Sequence, residues 1–340
     1  MQEKITIKEE VNNPCFICGS NQSDPFLNRE FSNFDYPGEF FIRSCKGCGL
    51  LFNSPRLKED EIPALYRKNY YFFNRTDQNE FKRIIEVYRR SVPLIQNGVF
   101  PKKALDIGSA KGYLLALLKE LNWKVQGIEL SKEAASYAIN KFGVPTFKGT
   151  LEEFVKEHSK EKYPLILAID ILEHIVSPKN FIATIYQLLE DDGFLIIDTP
   201  NAQSANITYE KLSWKGFNPF HIFLFSKGNL IQLMENSGYF VENVFSYGND
   251  ERKHEYKKQT VNTKRKIKNI LEKVYLLNIS ERIFQRIKEQ LYTIWHRRTY
   301  LIDAVSCVQD NLSYFDSEDS LKPLANDCRG DNIVLIARKV

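Results

Sequence analysis

The sequence predicts an α/β fold in which a mostly parallel sheet is covered by helices on both faces. Three observations carry that expectation. From Lys102 onward, short apolar runs alternate with stretches of helical apolar spacing, the pattern of parallel strands joined by crossover helices. In the first such unit, Lys103-Ala104-Leu105-Asp106-Ile107-Gly108-Ser109-Ala110-Lys111-Gly112-Tyr113-Leu114-Leu115 is a strand, a tight glycine turn and a helix start. A second strand, Val125-Gln126-Gly127-Ile128-Glu129-Leu130-Ser131, ends in an acid about twenty residues further on, where a carboxylate can accept both hydroxyls of a ribose.

Before this core stand two Cys-x-x-Cys knuckles, Cys15-Phe16-Ile17-Cys18-Gly19 and Cys45-Lys46-Gly47-Cys48-Gly49, separated by 26 residues. Four thiolates at this spacing, Cys15, Cys18, Cys45 and Cys48, make a tetrahedral zinc site, and residues 1–56 are predicted to form a zinc ribbon. The glycine after each second cysteine supplies a turn that brings backbone amides to the sulfurs. The competing picture, four unbound thiols in an apolar knot, leaves so short a segment with little core. With all four positions filled by protein, the zinc would stabilise and not catalyse. Phe40-Phe41-Ile42-Arg43 is a strand of the ribbon. Residues 57–100 form a helical connector, with Phe81, Ile84, Ile85, Tyr88, Val92 and Ile95 at helical spacing over 78–97.

The core domain covers 101–249 and 331–340. Strands are predicted at 103–107, 124–129, 144–148, 164–169 and 193–198, and helices at 111–122, 132–142, 151–158, 178–190 and 227–237. Gly108 lets the chain bend, and Gly112 lets a ligand or a neighbouring strand approach the helix start. Ligands in such sheets bind at the carboxyl ends of the strands. Asp106, Glu129, Leu151-Glu152 and Asp170 fall at or just past such ends. The sixth and seventh strands, 238–247 and 331–340, are separated by more than eighty residues, so 250–330 is an insertion. Its apolar stripes (Ile267, Ile270, Leu271, Val274, then Ile283, Phe284, Ile287, Leu291, Ile294, Trp295) are helical in spacing.

The motifs Leu105-Asp106-Ile107-Gly108-Ser109-Ala110-Lys111-Gly112, Glu129-Leu130-Ser131, Asp170-Ile171-Leu172-Glu173-His174 and Asn218-Pro219-Phe220-His221 resemble those of the class I S-adenosylmethionine-dependent methyltransferases. Dehydrogenases carry a third glycine where this chain has Leu115. The resemblance implies a Rossmann-like seven-stranded sheet and S-adenosyl-L-methionine as cofactor. It places the methionine part against Asp106, Gly108, Ser109 and Gly112, and the ribose on Glu129 beside Leu130. Leu151 would flank the adenine, and Glu152 would bond its amino group or act only as an acid at a helix N-terminus. Asp170 and Ile171 would lie beside the transferred methyl. His174 is a candidate general base, or a partner of Glu173 that positions the loop. His221, in an aromatic loop that excludes water, is the second candidate base, or bonds only backbone. The cysteine ribbon, the Asn53-Ser54-Pro55 turn and the Tyr70-Tyr71 pair resemble bacterial methyltransferases of sugar and polysaccharide pathways. That resemblance implies a small-molecule or glycan acceptor methylated on oxygen, with carbon methylation of a keto sugar as a close variant. Either tyrosine would cover the cofactor's amino-acid end or pack the ribbon onto the core.

The 340 residues, 43% hydrophobic and 26% charged, suffice for a large core. No uninterrupted apolar run spans a membrane, and the polar N-terminus lacks a signal peptide's apolar stretch. A cytoplasmic protein is expected, with Cys307 and Cys328 as ordinary thiols. The formal charge of +4 is uneven, because residues 251–300 hold fourteen Lys/Arg against five Asp/Glu. A solvated helical hairpin, a homo-oligomer interface and a peripheral membrane contact compete for that segment. Two other functions compete with this one: a zinc-ribbon RNA methyltransferase, disfavoured by a ribbon close to neutral where nucleic acid needs a basic footprint, and a non-catalytic scaffold, disfavoured by the intact glycine loop.

Overall fold

The computed structural model describes residues 8–31, 36, 38–59, 61, 77–92, 101–210, 213–248, 305 and 328–340. Tyr70, Tyr71, Ile95, Cys307 and nearly all of the 250–330 insertion, with the competing expectations placed on it, lie outside these residues. In chain order the strands and helices are β1 (Lys8–Glu9), β2 (Ser23–Phe31), β3 (Gly38–Cys45), β4 (Leu51–Asn53), β5 (Arg56–Leu57), α1 (Asp77–Ser91), β6 (Lys103–Ile107), α2 (Tyr113–Glu120), β7 (Lys124–Glu129), α3 (Lys132–Tyr137), β8 (Thr146–Lys148), α4 (Leu151–Glu157), β9 (Tyr163–Ile169), α5 (Pro178–Leu188), β10 (Leu189–Pro200), α6 (Asn206–Glu210), β11 (Phe223–Leu224), α7 (Lys227–Glu235), β12 (Tyr239–Tyr247) and β13 (Asn332–Lys339).

The large sheet has seven strands in the order β12-β13-β10-β9-β6-β7-β8. β13 runs antiparallel to both of its neighbours, while β10, β9, β6, β7 and β8 pair in parallel. The chain moves outward from β6 to β7 and β8, then returns to build β9 and β10 on the other side. β6 is therefore the topological switch point, where a crevice opens at the strand ends.

Side chains alternate between two cores. Leu105, Ile107, Ile166, Ala168, Leu195 and Ile197 face one, with Phe154 of α4, Ile182 and Ile185 of α5 and Leu230 and Leu233 of α7. Ala104, Leu165, Leu167 and Ile196 face the other, with Phe81, Ile84 and Tyr88 of α1 and Leu114, Leu117 and Leu118 of α2. Central strands buried on both faces read as continuous apolar runs, which is why they are visible in the sequence.

Element ends differ from expectation for local reasons. Gly112, at φ 74°, sits outside the helix as its N-cap, so α2 begins at Tyr113. The expected helix over 132–142 divides: α3 ends at Tyr137, a wider π turn covers Ala138–Phe142, and Gly143 at φ 60° stops it. β10 starts immediately after α5, four residues before the predicted strand, with a register shift between Leu189 and Phe194 and Asp192 at φ 59°. Thr150 and Ser226 close capping boxes with Glu153 and Asn229 at the starts of α4 and α7.

A second sheet, β11-β4-β3-β2, joins the cysteine segment to the core. Its edge strand β11 comes from the loop that carries His221 and pairs Phe223 with Phe52 and Leu224 with Leu51. Asn53 N–H donates to Ile222 O at 2.9 Å, and Asn53 Nδ2 to Pro219 O at 3.2 Å. Asn229 of α7 reaches back to Cys48 O at 3.0 Å. Ribbon and loop thus form one unit. Among the described residues no helix is long and apolar enough to cross a membrane.

Candidate active site

The glycine turn after β6 is held by its neighbour strand, with Gly108 and Ser109 N–H both donating to Ile128 O at 2.9 and 3.1 Å. Gly108 has φ 73°, and a Cβ there would stand 2.9 Å from Ile171 Cδ1, so two of the residues singled out in the sequence meet. At Gly112 the close neighbour is Ala138 Cβ, 2.7 Å from an added Cβ. A helix residue approaches there, in place of the strand or ligand expected from the sequence. Ser109 Oγ is buried with no hydrogen-bond partner. Gly127 leaves room for it, since a Cβ there would lie 2.6 Å away.

Ala110 takes the left-handed conformation at φ 47°, strain of the kind that collects at functional sites. That turn aims its N–H at Glu129 Oε2, 2.8 Å away, while Glu129 Oε1 accepts from Ser131 N–H at 2.7 Å. The half-buried carboxylate therefore bridges the glycine turn and the start of α3. Burial raises its pKa against the pull of these amides. Asp106 lies close by. Burial pushes it up to about 8, with the Glu129 charge adding to the shift and Arg83 opposing it. Leu130 is 52% exposed beside Glu129. Leu151 is buried in the first turn of α4, and Glu152 is exposed next to it.

Asp170 directly follows β9 at φ 52°, and its Oδ2 accepts from Arg83 Nη1 at 2.7 Å. Asn332 Nδ2 lies 3.1 Å from Asp198 Oδ1 and 3.4 Å from Asp170 Oδ1, and Tyr247 Oη donates to Asp198 Oδ2 at 2.7 Å. Arg83, Asp198, Asn332 and Tyr247 were not singled out in the sequence. Arg83 stands on the polar side of a helical pattern, where the ordinary expectation is solvent, and the others sit inside strands with no motif around them.

His174 and His221 are brought together from distant segments, with ring centroids 5.0 Å apart. His174 Nδ1 lies 2.7 Å from Phe220 O, and His221 Nδ1 lies 2.8 Å from Gly216 O. Carbonyls only accept, so each Nδ1 carries the hydrogen and each Nε2 the lone pair. Asn218 Nδ2 lies 3.3 Å from His221 Nε2. Burial lowers both pKa values, that of His221 to about 3 with the neighbouring His174 adding to the shift. Glu173 is 1% exposed. Its Oε2 accepts from Thr199 Oγ1 at 2.9 Å, and its Oε1 lies 3.8 Å from His174 Nε2.

The four knuckle cysteines converge. Cys15 and Cys48 Sγ are 3.6 Å apart, Cys18 and Cys45 Sγ 3.5 Å, and all four sulfurs lie within 4.8 Å of one another. Zn–S bonds of about 2.3 Å at tetrahedral angles put sulfurs roughly 3.8 Å apart, so the cluster fits zinc. Gly19 and Gly49, at φ 75° and 71°, make the knuckle turns. The N–H groups of Ile17 and Cys18 bond Cys15 Sγ, and those of Gly47 and Cys48 bond Cys45 Sγ.

A family profile described as a methyltransferase domain matches residues 66–244, more than half of the chain. The chain belongs to that methyltransferase family. It is 34% identical over 113 residues to a ubiquinone biosynthesis O-methyltransferase of Glaesserella parasuis, covering 31% of this chain and 48% of the relative. It is 23% identical over 191 residues to a probable S-adenosylmethionine-dependent methyltransferase of Mycolicibacterium smegmatis, covering 56% of this chain and 67% of the relative. The chain thus spans about half the length of the ubiquinone-biosynthesis relatives it matches. A crystal structure of an S-adenosylmethionine-dependent methyltransferase from Archaeoglobus fulgidus aligns over 80% of this chain and 100% of its own, at 18% identity and TM-score 0.48.

The residues at these strand ends fit S-adenosylmethionine. The turn after β6 presents its backbone, with Gly108 at φ 73° too close to Ile171 for a side chain, and Glu129 offers a carboxylate at the end of β7. A pH dependence follows from Asp106. Its folded pKa, about 8, lies above its ordinary 3.8, so the folded protein binds the extra proton between those values. The stability this contributes is complete below about pH 4 and is lost as pH rises through about 8. The ligand-free methyltransferase is therefore expected to melt at progressively lower temperature from pH 6 to pH 9. The rise in melting temperature on adding the sulfonium cofactor should grow over the same range, because a cation favours the carboxylate. Flat melting temperatures across that range would show that Asp106 is already ionised at pH 6.

Proposed function

We propose that this methyltransferase methylates a hydroxyl oxygen of a small-molecule or glycan-type acceptor, which approaches the His174–His221 pair. The observation that carries this is the convergence of the two imidazoles, both oriented by backbone carbonyls with Nε2 as acceptor, beside the Asp170-Ile171 strand end. S-adenosylmethionine supplies a methyl group already activated on a positively charged sulfur. The chain's residues then have three tasks. Glu129 and the glycine turn hold the nucleoside. Asp106 and Asp170 surround the positive charge with carboxylates. The His221 loop, packed with Phe217 and Phe220, excludes water and receives the acceptor's hydroxyl at Nε2.

Oxygen as the target is also supported by the name O-methyltransferase that curated relatives carry. Those relatives are named for ubiquinone biosynthesis, so the sugar or glycan part of the proposal rests on the ribbon resemblance alone. In the same proposal the ribbon holds a structural Zn2+, and nucleic acid is no partner. The ribbon's near-neutral charge and the pairing of its β4 edge with β11 both favour an internal scaffold over an RNA grip. The test is transfer of labelled methyl to a panel of phenols, sugars and nucleotide sugars. Label on oxygen is expected, and label found only on nitrogen or carbon would overturn the proposal. His221→Ala should slow transfer by about 100-fold, in the range for a lost proton-transfer group, with cofactor affinity unchanged by calorimetry. A fully active variant would move the acceptor away from this loop.

A further inference from the structure

The same pair has a third member. A ligand atom from each of Glu173, His174 and His221 lies within 4.8 Å of the other two. Each imidazole donates its Nδ1 hydrogen to a backbone carbonyl, Phe220 O for His174 and Gly216 O for His221. Thr199 Oγ1 holds Glu173 Oε2 and leaves Oε1 turned toward His174 Nε2. Metal-ligating histidines are oriented in this way, by a carbonyl on the nitrogen that does not bind the metal. The ligands also come from two separated segments, the short 3-10 turn Leu172–His174 after β9 and the loop before β11, brought together by the fold.

We propose that Glu173 Oε1, His174 Nε2 and His221 Nε2 bind a divalent transition-metal cation that holds and ionises the acceptor's hydroxyl. The inference rests on the acceptor site proposed above and deepens it: each Nε2 lone pair is then taken up by the cation, and the hydroxyl meets the imidazoles through the cation in place of direct proton transfer to His221. Two imidazoles and one carboxylate suit zinc, manganese or iron, whereas the four thiolates of the ribbon select zinc. Metal–ligand bonds of about 2.1 Å place ligand atoms roughly 3.4 Å apart at tetrahedral angles. Spacings of up to 4.8 Å close by up to about 1.4 Å on loading, within reach of side-chain rotation. Three protein ligands leave coordination positions open for substrate, as in catalytic and not structural sites. An acceptor with two adjacent oxygens, a catechol or a vicinal diol, would fill two of them, and that is the substrate class the site selects. The acceptor O–H bond breaks with its proton passing to water, an oxygen electron pair forms the O–CH3 bond, and the S–CH3 bond breaks with its pair remaining on sulfur. The cation's part is to lower the hydroxyl's pKa.

The test needs no acceptor. Protein with its ribbon filled by zinc is treated with a mild chelator, then titrated with Mn2+ while the free-ion electron paramagnetic resonance signal is followed. One bound Mn2+ per chain is expected. Glu173→Gln and His221→Asn should each weaken it by at least about tenfold, with cofactor binding unchanged by calorimetry and melting curves confirming the fold. No Mn2+ binding at millimolar concentration, or binding indifferent to both substitutions, would overturn the proposal. Full-rate methyl transfer to oxygen by metal-stripped protein would also overturn it and leave O-methylation standing. Label directed to nitrogen or carbon, with Mn2+ still bound, would instead sink the proposed function.

Discussion

Glu129→Gln is expected to weaken S-adenosylmethionine binding by on the order of 100-fold, about 2.7 kcal/mol, while the fold and the zinc content stay unchanged. The carboxylate has two tasks that an amide cannot share. Its oxygens accept from Ala110 N–H and Ser131 N–H at 2.8 and 2.7 Å, and each oxygen keeps a second lone pair for a ribose hydroxyl. In the Gln variant one of these atoms becomes an NH2, which faces a backbone N–H as donor against donor. The left-handed turn at Ala110 then loses the partner that holds it, and the ribose loses charge-assisted bonds. Calorimetric titration measures this directly. An affinity within about threefold of the parent would mean that the sugar is held elsewhere, and the glycine turn would lose its assignment with it.

The sequence was most legible where burial is two-sided. Leu165-Ile166-Leu167-Ala168 and Leu195-Ile196-Ile197 are apolar without alternation because both faces of the sheet are covered, so β9 and β10 announce themselves. Glu129 was legible because its place depends on chain distance from a glycine turn, a local property. What escaped notice depends on the fold as a whole. β11 is two residues long and has no period to detect; it exists because β4 offers it an edge. Arg83 looks like a solvated residue on an amphipathic helix, and only the closing of α1 over the strand ends brings it to Asp170. The nearness of His174 to His221 spans 46 intervening positions and follows from the ribbon holding the loop in place. The turn at Ala138 shows the same limit on a smaller scale, because helical spacing continues through it and the change to a wider turn occurs where it meets Gly112.

Loss of the ribbon's metal should have a comparably large effect and a different signature. Cys45→Ser is expected to lose zinc, to melt at a lower temperature, and to reduce methyl transfer by at least about 100-fold, with cofactor affinity within about threefold of the parent. Structural zinc contributes on the order of 10 kcal/mol to small domains that lack a core of their own. The ribbon contributes only a few residues to the large core, among them Ile17, Cys45 and Leu50. Its sheet, however, supplies the edge on which β11 is built, and Asn53 ties down Ile222 O and Pro219 O on either side of Phe220-His221. Unfolding of the ribbon therefore releases the His221 loop, while Glu129, Ala110 and Ser131 keep their contacts on the far side of β6. The informative measurement is the split between the two activities in one preparation: calorimetry for the cofactor and label transfer for the acceptor. A zinc-free variant that still transfers methyl at the parental rate would show that the acceptor loop stands without the ribbon. Equal loss of both activities would show that the cofactor half of the site also depends on it.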